Sequence, residues 1–299
     1  MKKTCIIIAG PTAVGKTSTA ISIAQHFNTS IISADSRQCF KELNIGVAKP
    51  SPEQLELVRH YFIDSHSIHE IVNAKVFEEY ALSAIVAEFK LHDVVVMTGG
   101  TGLYIRAFSD GLDEIPSVSA SAEEYVSAGY TSGGISWLQD QLSIHDPYYF
   151  KHGAILNPQR SMRALSVVIS SGNPIHFYQS GATKKRDFDV VKIGLGLERS
   201  QLYENVNHRV DDMMNCGLLR EVEELNAFKN LPALRTVGYQ ELFPVVDGSG
   251  DLGSAIEEIK KNTRHYAKRQ MTWFKKDESF KWFSPSAVSE IINYISAKI

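Results

Sequence analysis

Cysteine is scarce: Cys5, Cys39 and Cys216 are odd in number, scattered, and nowhere spaced as CxxC. Neither a disulfide framework nor a thiolate zinc site is implied, and a reducing cytoplasm is the expected compartment. Long apolar runs are missing as well. The longest, such as Val94-Val95-Val96-Met97, have strand length and fall far short of a bilayer span. Met1-Lys2-Lys3 leads into a strand rather than a cleavable leader, so neither export nor a membrane partner is expected. No internal repeat or low-complexity tract is visible. What remains is a chain of 299 residues, 43% hydrophobic, enough for a large buried core. The formal net charge of -3 gives no global attraction to nucleic acid.

Against that background one stretch stands out. Gly10-Pro11-Thr12-Ala13-Val14-Gly15-Lys16-Thr17 follows an apolar strand candidate, Thr4 to Ala9, and precedes a helical pattern from Ser18 to His26. This is the setting of a phosphate-binding P-loop. Gly10 and Gly15 let the backbone curl so that successive N–H groups point inward, the helix dipole adds partial positive charge, and Lys16 adds a full one. An anionic oligophosphate is the expected ligand. Thr17 places a hydroxyl where a Mg²⁺ ligand, or a donor to a phosphate oxygen, usually sits.

The first hundred residues alternate strand and helix signals: a strand at 4–9, a helix after Lys16, a strand at 31–33, a helix at 74–89 and a strand at 93–98. That order predicts an α/β fold, a parallel sheet with helices on both faces. From Ile115 to Gly134 the chain turns rich in Ser, Gly and Ala and reads as an insertion leaving the core, followed by a helix-like piece around 135–142. Asn157-Pro158 reads as an N-cap with proline at the first helical position, opening a helix that carries Arg160 and Arg163 and stops near Gly172. A β-rich segment at 188–197 restores the sheet, and helices are predicted at 199–214, 218–228 and from Ser254 onward.

Two further turns fall at the carboxyl edge of that sheet, where open α/β folds place their sites. Ile31-Ile32-Ser33 runs into Ala34-Asp35-Ser36-Arg37-Gln38, offering a carboxylate; alone, Asp35 is equally read as a cap or turn residue. Val94–Thr98 runs into Gly99-Gly100-Thr101-Gly102, offering more N–H groups. A P-loop NTPase usually ends such a strand with an aspartate that holds the magnesium-bound water, and Val96-Met97-Thr98 has none, which argues against a dedicated ATP hydrolase. Between Lys260 and Lys276 seven Lys/Arg residues occur without an Asp or Glu. Lys260, Arg264 and Lys268 share one helical face, while Ile256, Ile259, Tyr266, Trp273 and Phe274 form an apolar stripe. Charge alone does not separate a solvated face from a polyanion site.

Taken together with Gly46-Val47-Ala48-Lys49-Pro50, Arg163-Ala164-Leu165, Gly238-Tyr239 and Ala267-Lys268-Arg269-Gln270-Met271-Thr272-Trp273-Phe274, these motifs resemble tRNA dimethylallyltransferases, in the family's order and over nearly the whole chain. The resemblance implies transfer of a dimethylallyl group from dimethylallyl diphosphate to the exocyclic amine of the adenosine 3′ to the anticodon, with release of diphosphate. It implies a discontinuous P-loop core, residues 1–113 and 186–299, and a helical insertion, 114–185, that contacts the anticodon stem-loop. Asp35 would be the base, with Thr17 and Arg209 acting on the leaving group. Gly10, Thr12, Ala13, Val14, Gly15, Lys16, Thr17 and Thr101 would bind the donor. Ser36, Gln38, Arg160, Arg163, Arg264, Lys268, Arg269 and Gln270 would face tRNA. Mg²⁺ is the implied cofactor and Thr17 its ligand; a monomer is the default expectation. Phe40 and Val47 stand where the family often has Tyr and Thr, and the insertion is short, with Ser and Gly where helix is expected. With no Cys/His finger before Ile299, a bacterial-type enzyme is expected. An adenylate isopentenyltransferase acting on free nucleotide, a P-loop small-molecule kinase and a non-catalytic RNA-binding protein are the competing readings.

Overall fold

A computed structural model describes residues 2–299. In chain order its elements are β1 (Thr4–Ala9), α1 (Lys16–His26), β2 (Ile31–Ser33), α2 (Pro52–Leu57), β3 (His60–Tyr61), α3 (Ala74–Glu88), β4 (Val94–Gly99) and α4 (Gly102–Asp110). There follow α5 (Ala120–His145), α6 (Pro147–His152), α7 (Pro158–Ser171), β5 (Asp189–Leu195), α8 (Arg199–Asn215), α9 (Leu218–Leu225), α10 (Phe243–Val246), α11 (Leu252–Phe274), β6 (Lys281–Phe283) and α12 (Val288–Ser296). Among the described residues no helix is long and apolar enough to cross a membrane.

The chain divides into two compact units, Met1–Asp110 with Lys185–Ile299, and Gly111–Lys184. The first is built on a six-stranded sheet in the order β3-β2-β4-β1-β5-β6, every pair parallel. β1 and β4 are buried along their whole length because both faces carry helices, and their near-continuous apolar sequences reflect that. Ile6, Ile8, Val96, Ile193 and Leu195 pack with Ile21, Ile23 and Ala24 of α1 and with Ile291 and Ile295 of α12. β1 sends the chain to β2 on one side while its neighbour β4 sends it toward β5 on the other. Strand order therefore reverses between β4 and β1, which opens a crevice at their carboxyl ends.

The second unit is helical. Its core joins Val126, Leu138 and Leu142 of α5 to Ala164, Leu165, Val167 and Val168 of α7 and to Ile175. The Ser- and Gly-rich stretch before residue 134 is helical, and the reason lies in its glycines. α5 breaks at Gly134, whose φ of 63 and ψ of -153 are non-helical. Tyr125 Oη donates to Gln141 Oε1 at 3.0 Å although the two residues lie 16 apart in sequence. A straight helix would separate them by about 24 Å, so the two halves of α5 fold back on each other. Gly129 and Gly133 make room for Trp137, whose ring would lie 2.2 Å from a Cβ on Gly129. The glycines here allow close packing of the two halves around one tryptophan.

Candidate active site

Helix α1 begins with its donors unpaired. Gly15 is the N-cap with φ 98, a left-handed conformation that favours glycine, and it offers no side-chain cap. The first turn's N–H groups therefore point outward with the dipole's positive end behind them, an arrangement that an anion completes. Gly10 is needed for another reason: a Cβ there would lie 2.7 Å from the Leu195 carbonyl oxygen of β5. Thr12, Ala13, Gly15, Lys16 and Thr17 line a cavity of about 310 Å³ with Ser33, Asp35, Thr98 and Gly100. Gly10 and Val14 stay out of it. Gly10 shapes the turn, and the Val14 side chain joins the hydrophobic core.

The loop is tied down from outside. Asn205 Nδ2 of α8 donates to Ala13 O at 3.3 Å, Arg209 Nη1 donates to Thr12 Oγ1 at 3.2 Å, and the Thr12 N–H donates to Gln270 Oε1 at 2.8 Å. Gln270 also donates from Nε2 to Gly100 O at 2.9 Å, so it bridges the P-loop and the β4 turn. That corrects the expectation for Gln270. It is buried, 6% exposed, and both ends of its amide are engaged within the protein rather than offered to RNA.

Lys16 Nζ donates to Pro11 O at 2.6 Å. Burial drives its pKa from 10.5 down to about 7, with Arg209 adding to the shift and Asp35 opposing it. Burial also lowers the Arg209 pKa, against the pull of Asp35 and Asp212. Two desolvated cations and one carboxylate thus share the crevice.

A second cavity, about 380 Å³, lies beside the first. Thr12, Asp35, Val47, Ala48, Arg209 and Tyr266 line both. Arg37, Arg235 and Arg269 line the second alone, with Val210, Met213 and Ile259 supplying apolar wall. Asp35 is thus at the boundary. Its Oδ1 accepts the N–H groups of Arg37 at 2.9 Å and Gln38 at 3.3 Å, which fixes the carboxylate while Oδ2 takes no bond among the described residues.

Other expected contacts prove to be internal. Gln38 donates from Nε2 to Val47 O at 3.3 Å and Ala48 O at 3.0 Å, and its Oε1 accepts from Ser33 Oγ at 3.1 Å; its amide holds the Gly46–Ala48 segment rather than a base. Thr101 Oγ1 accepts the Ser36 N–H at 3.1 Å and lines neither cavity, so it joins the two turns instead of touching a donor. Ser36 lines the second cavity. Lys268 and Arg269 are exposed on α11, and Arg264 Nη1 donates to Asn207 Oδ1 at 2.6 Å. The basic face is shorter than the sequence suggests, because Lys260 pairs with Asp211 and Glu257 and Lys261 with Glu258. Arg160 and Arg163 are exposed on α7 in the helical unit.

Tyr266 belongs to the site although its place in an apolar stripe hides that. Thr263, Tyr266 and Gln270 lie on one side of α11 and all line a cavity. Burial raises the Tyr266 pKa to about 12, with Asp35 adding to the rise, so it stays a neutral hydroxyl. Asn205 and Arg235 were also missed. Asn205 carried a signal, lying one helical turn from Arg209 on the same face of α8.

The arrangement places an anion cradle and an arginine-lined pocket on either side of one fixed carboxylate. The IPP transferase family model matches residues 38–277. The tRNA dimethylallyltransferase of Christiangramia forsetii is 45% identical and that named tRNA dimethylallyltransferase 1 of Bacteroides fragilis 43%, each over at least 99% of both chains. Among solved structures, the tRNA isopentenylpyrophosphate transferase of Bacillus halodurans aligns with TM-score 0.73 and 32% identity, over 99% of this chain and 97% of that one. The chain belongs to the tRNA dimethylallyltransferase family of IPP transferases.

Proposed function

We propose that the protein moves a dimethylallyl group from dimethylallyl diphosphate to the N6 amine of the adenosine 3′ to the anticodon of tRNA, releasing diphosphate. The observation that carries this reading is Asp35, shared by the two cavities. The diphosphate occupies the P-loop cavity, where Lys16, Arg209 and the unpaired N–H groups of α1 meet it. The adenine enters the arginine-lined cavity. Since a stacked base cannot reach a recessed carboxylate, it leaves the anticodon loop at a cost of a few kcal/mol.

As the amine nitrogen bonds to the allylic carbon, the carbon–oxygen bond to diphosphate breaks and its electron pair goes to the leaving oxygen. Donors already aimed at that oxygen need no reorganisation, which is where such sites lower barriers most. The N6 proton passes to Oδ2 of Asp35, a transfer worth about 10²–10⁴-fold. No water has to be positioned, consistent with β4 ending in Met97-Thr98-Gly99 rather than in an aspartate.

Among the described residues no cluster of three His, Cys, Asp or Glu is placed to hold a metal. Thr17, in the P-loop cavity, offers one hydroxyl, which suits an ion held mainly by diphosphate oxygens and water, the habit of Mg²⁺. When bound there, Mg²⁺ would neutralise charge on the leaving group. Exposed Lys268 and Arg269 and, in the helical unit, Arg160 and Arg163 are assigned to tRNA phosphates. A monomer is the working unit assigned, and a cytoplasmic setting suits its substrates.

Incubating the protein with labelled dimethylallyl diphosphate and Mg²⁺, with unmodified tRNA or AMP as acceptor, tests the reading. Label is expected on tRNA; label on AMP alone, or ATP turnover instead of prenyl transfer, would refute it.

A further inference from the structure

The motif Gly238-Tyr239 and the segment Gly46–Pro50 have no part in the chemistry above, yet a buried network joins them. Glu221 of α9 is 9% exposed and has no cation paired with it among the described residues. Its Oε2 accepts the N–H groups of Asn44 at 3.1 Å and Ile45 at 2.8 Å, and its Oε1 accepts the Gly46 N–H at 3.1 Å. The fourth donor is Tyr239 Oη, 2.5 Å from Oε1. Tyr239 is fully buried, and its ring presses on the same segment, since a Cβ on Gly46 would lie 2.5 Å from it. A buried carboxylate held by four neutral donors is an unusual expense for a fold, because an apolar substitute of like shape is often as stable.

What the network holds explains its presence. Gly46, Val47 and Ala48 are one stretch of the lining of the arginine-rich cavity, and Arg235 to Gly238 are another. Tyr239 adjoins the second stretch and, through Glu221, grips the first. The first stretch passes the constraint on: the Val47 and Ala48 carbonyls fix the Gln38 amide, and the Gln38 N–H donates to Asp35 Oδ1.

We infer that Glu221 and Tyr239 are positioning residues, which set the spacing of two walls of the acceptor cavity and, through Gln38, the aim of Asp35. This rests on the proposed prenyl transfer. None of the Glu221 or Tyr239 hydrogen bonds reaches the P-loop. Although Val47 and Ala48 border both cavities, the N–H groups and Lys16 that would hold diphosphate lie outside the network, so loosening it disturbs the acceptor side first.

The test compares wild type with Tyr239→Phe and Glu221→Gln. Wild-type transfer to tRNA is measured first; its absence would sink the parent reading alone. Inorganic diphosphate titrated by calorimetry then gives the number of competent donor sites and their Kd. Per competent site, kcat is expected to fall about tenfold or more in Glu221→Gln and several-fold in Tyr239→Phe, with a rise in KM for tRNA, because small misplacements of a reacting pair are costly. Diphosphate Kd should stay within about twofold of wild type. A kcat per competent site unchanged in Tyr239→Phe, or a loss that follows only the number of competent sites, would overturn the inference. If Glu221→Gln fails to fold, Tyr239→Phe decides.

Discussion

The two cavities that meet at Asp35 are built from different materials. The P-loop cavity takes its positive potential from backbone N–H groups, a helix end, Lys16, Lys49 and the shared Arg209, with the loop fixed by Asn205, Arg209 and Gln270. Its neighbour takes its charge from Arg37, Arg235 and Arg269, side chains set among apolar walls. Backbone donors suit a small ligand whose phosphates always present the same face. Flexible guanidinium groups with apolar patches suit a large polyanion that delivers a flipped base. On the proposed reading, the difference means that the two substrates are recognised separately and that only the groups at the boundary act on both.

The sharpest way to break this division is at the boundary. Asp35→Ala should lower kcat by about 10²–10⁴-fold in steady-state prenyl transfer. Because it removes a carboxylate beside Lys16 and Arg209, diphosphate binding should hold or tighten. A variant within a few-fold of normal turnover would remove Asp35 from the reaction.

The donor side carries a pH signature. In the proposed reaction protonated Lys16 binds diphosphate, but burial lowers its pKa to about 7, so above that pH binding must take up a proton. Affinity relative to Lys16→Met should fall by up to about tenfold per pH unit from pH 7 toward 9. The same depression makes folding relatively more favourable as pH rises from about 7 toward 10.5, since only the unfolded lysine then keeps its proton. Parallel pH curves for wild type and Lys16→Met would show that Lys16 does not titrate there.

Gln270 tests which cavity it serves. Losing its bonds to Thr12 and Gly100 should weaken diphosphate binding in Gln270→Ala by about 5- to 30-fold, at roughly 1 kcal/mol for each. The salt dependence of tRNA binding should not change. The opposite pattern would return Gln270 to the RNA surface.

The smallest effect is expected on the exposed basic face of α11. Replacing Lys268 and Arg269 with alanine should reduce the slope of log Kobs against log salt for tRNA by about 1 to 2, with diphosphate affinity untouched. An unchanged slope would take α11 out of the RNA interface.

What the sequence disclosed follows the same division. Strand β1, the P-loop and α1 were legible because glycine, lysine and apolar periodicity encode backbone geometry directly. The parallel sheet followed from alternation of strands and helices. The edge strands β3 and β6, two and three residues long, carry too little periodicity to be seen. The sequence sets Gln270, Gln38 and Thr101 against substrates because a polar side chain in a motif looks the same whether it meets a ligand or a carbonyl. Which it meets depends on partners distant in sequence, such as Gly100 for Gln270. Lys260 reads as a free cation in the sequence because Asp211 lies on another helix. The Glu221–Tyr239 pair was hidden for a like reason, since the N–H groups it organises lie about 175 residues away.

The most direct test is a structure of the protein with dimethylallyl thiolodiphosphate and an unmodified anticodon stem-loop. The diphosphate should lie in the P-loop cavity, the flipped adenine in the arginine-lined cavity, and N6 within about 3.2 Å of Asp35 Oδ2. Diphosphate bound elsewhere, or an adenine whose amine faces away from Asp35, would contradict the account.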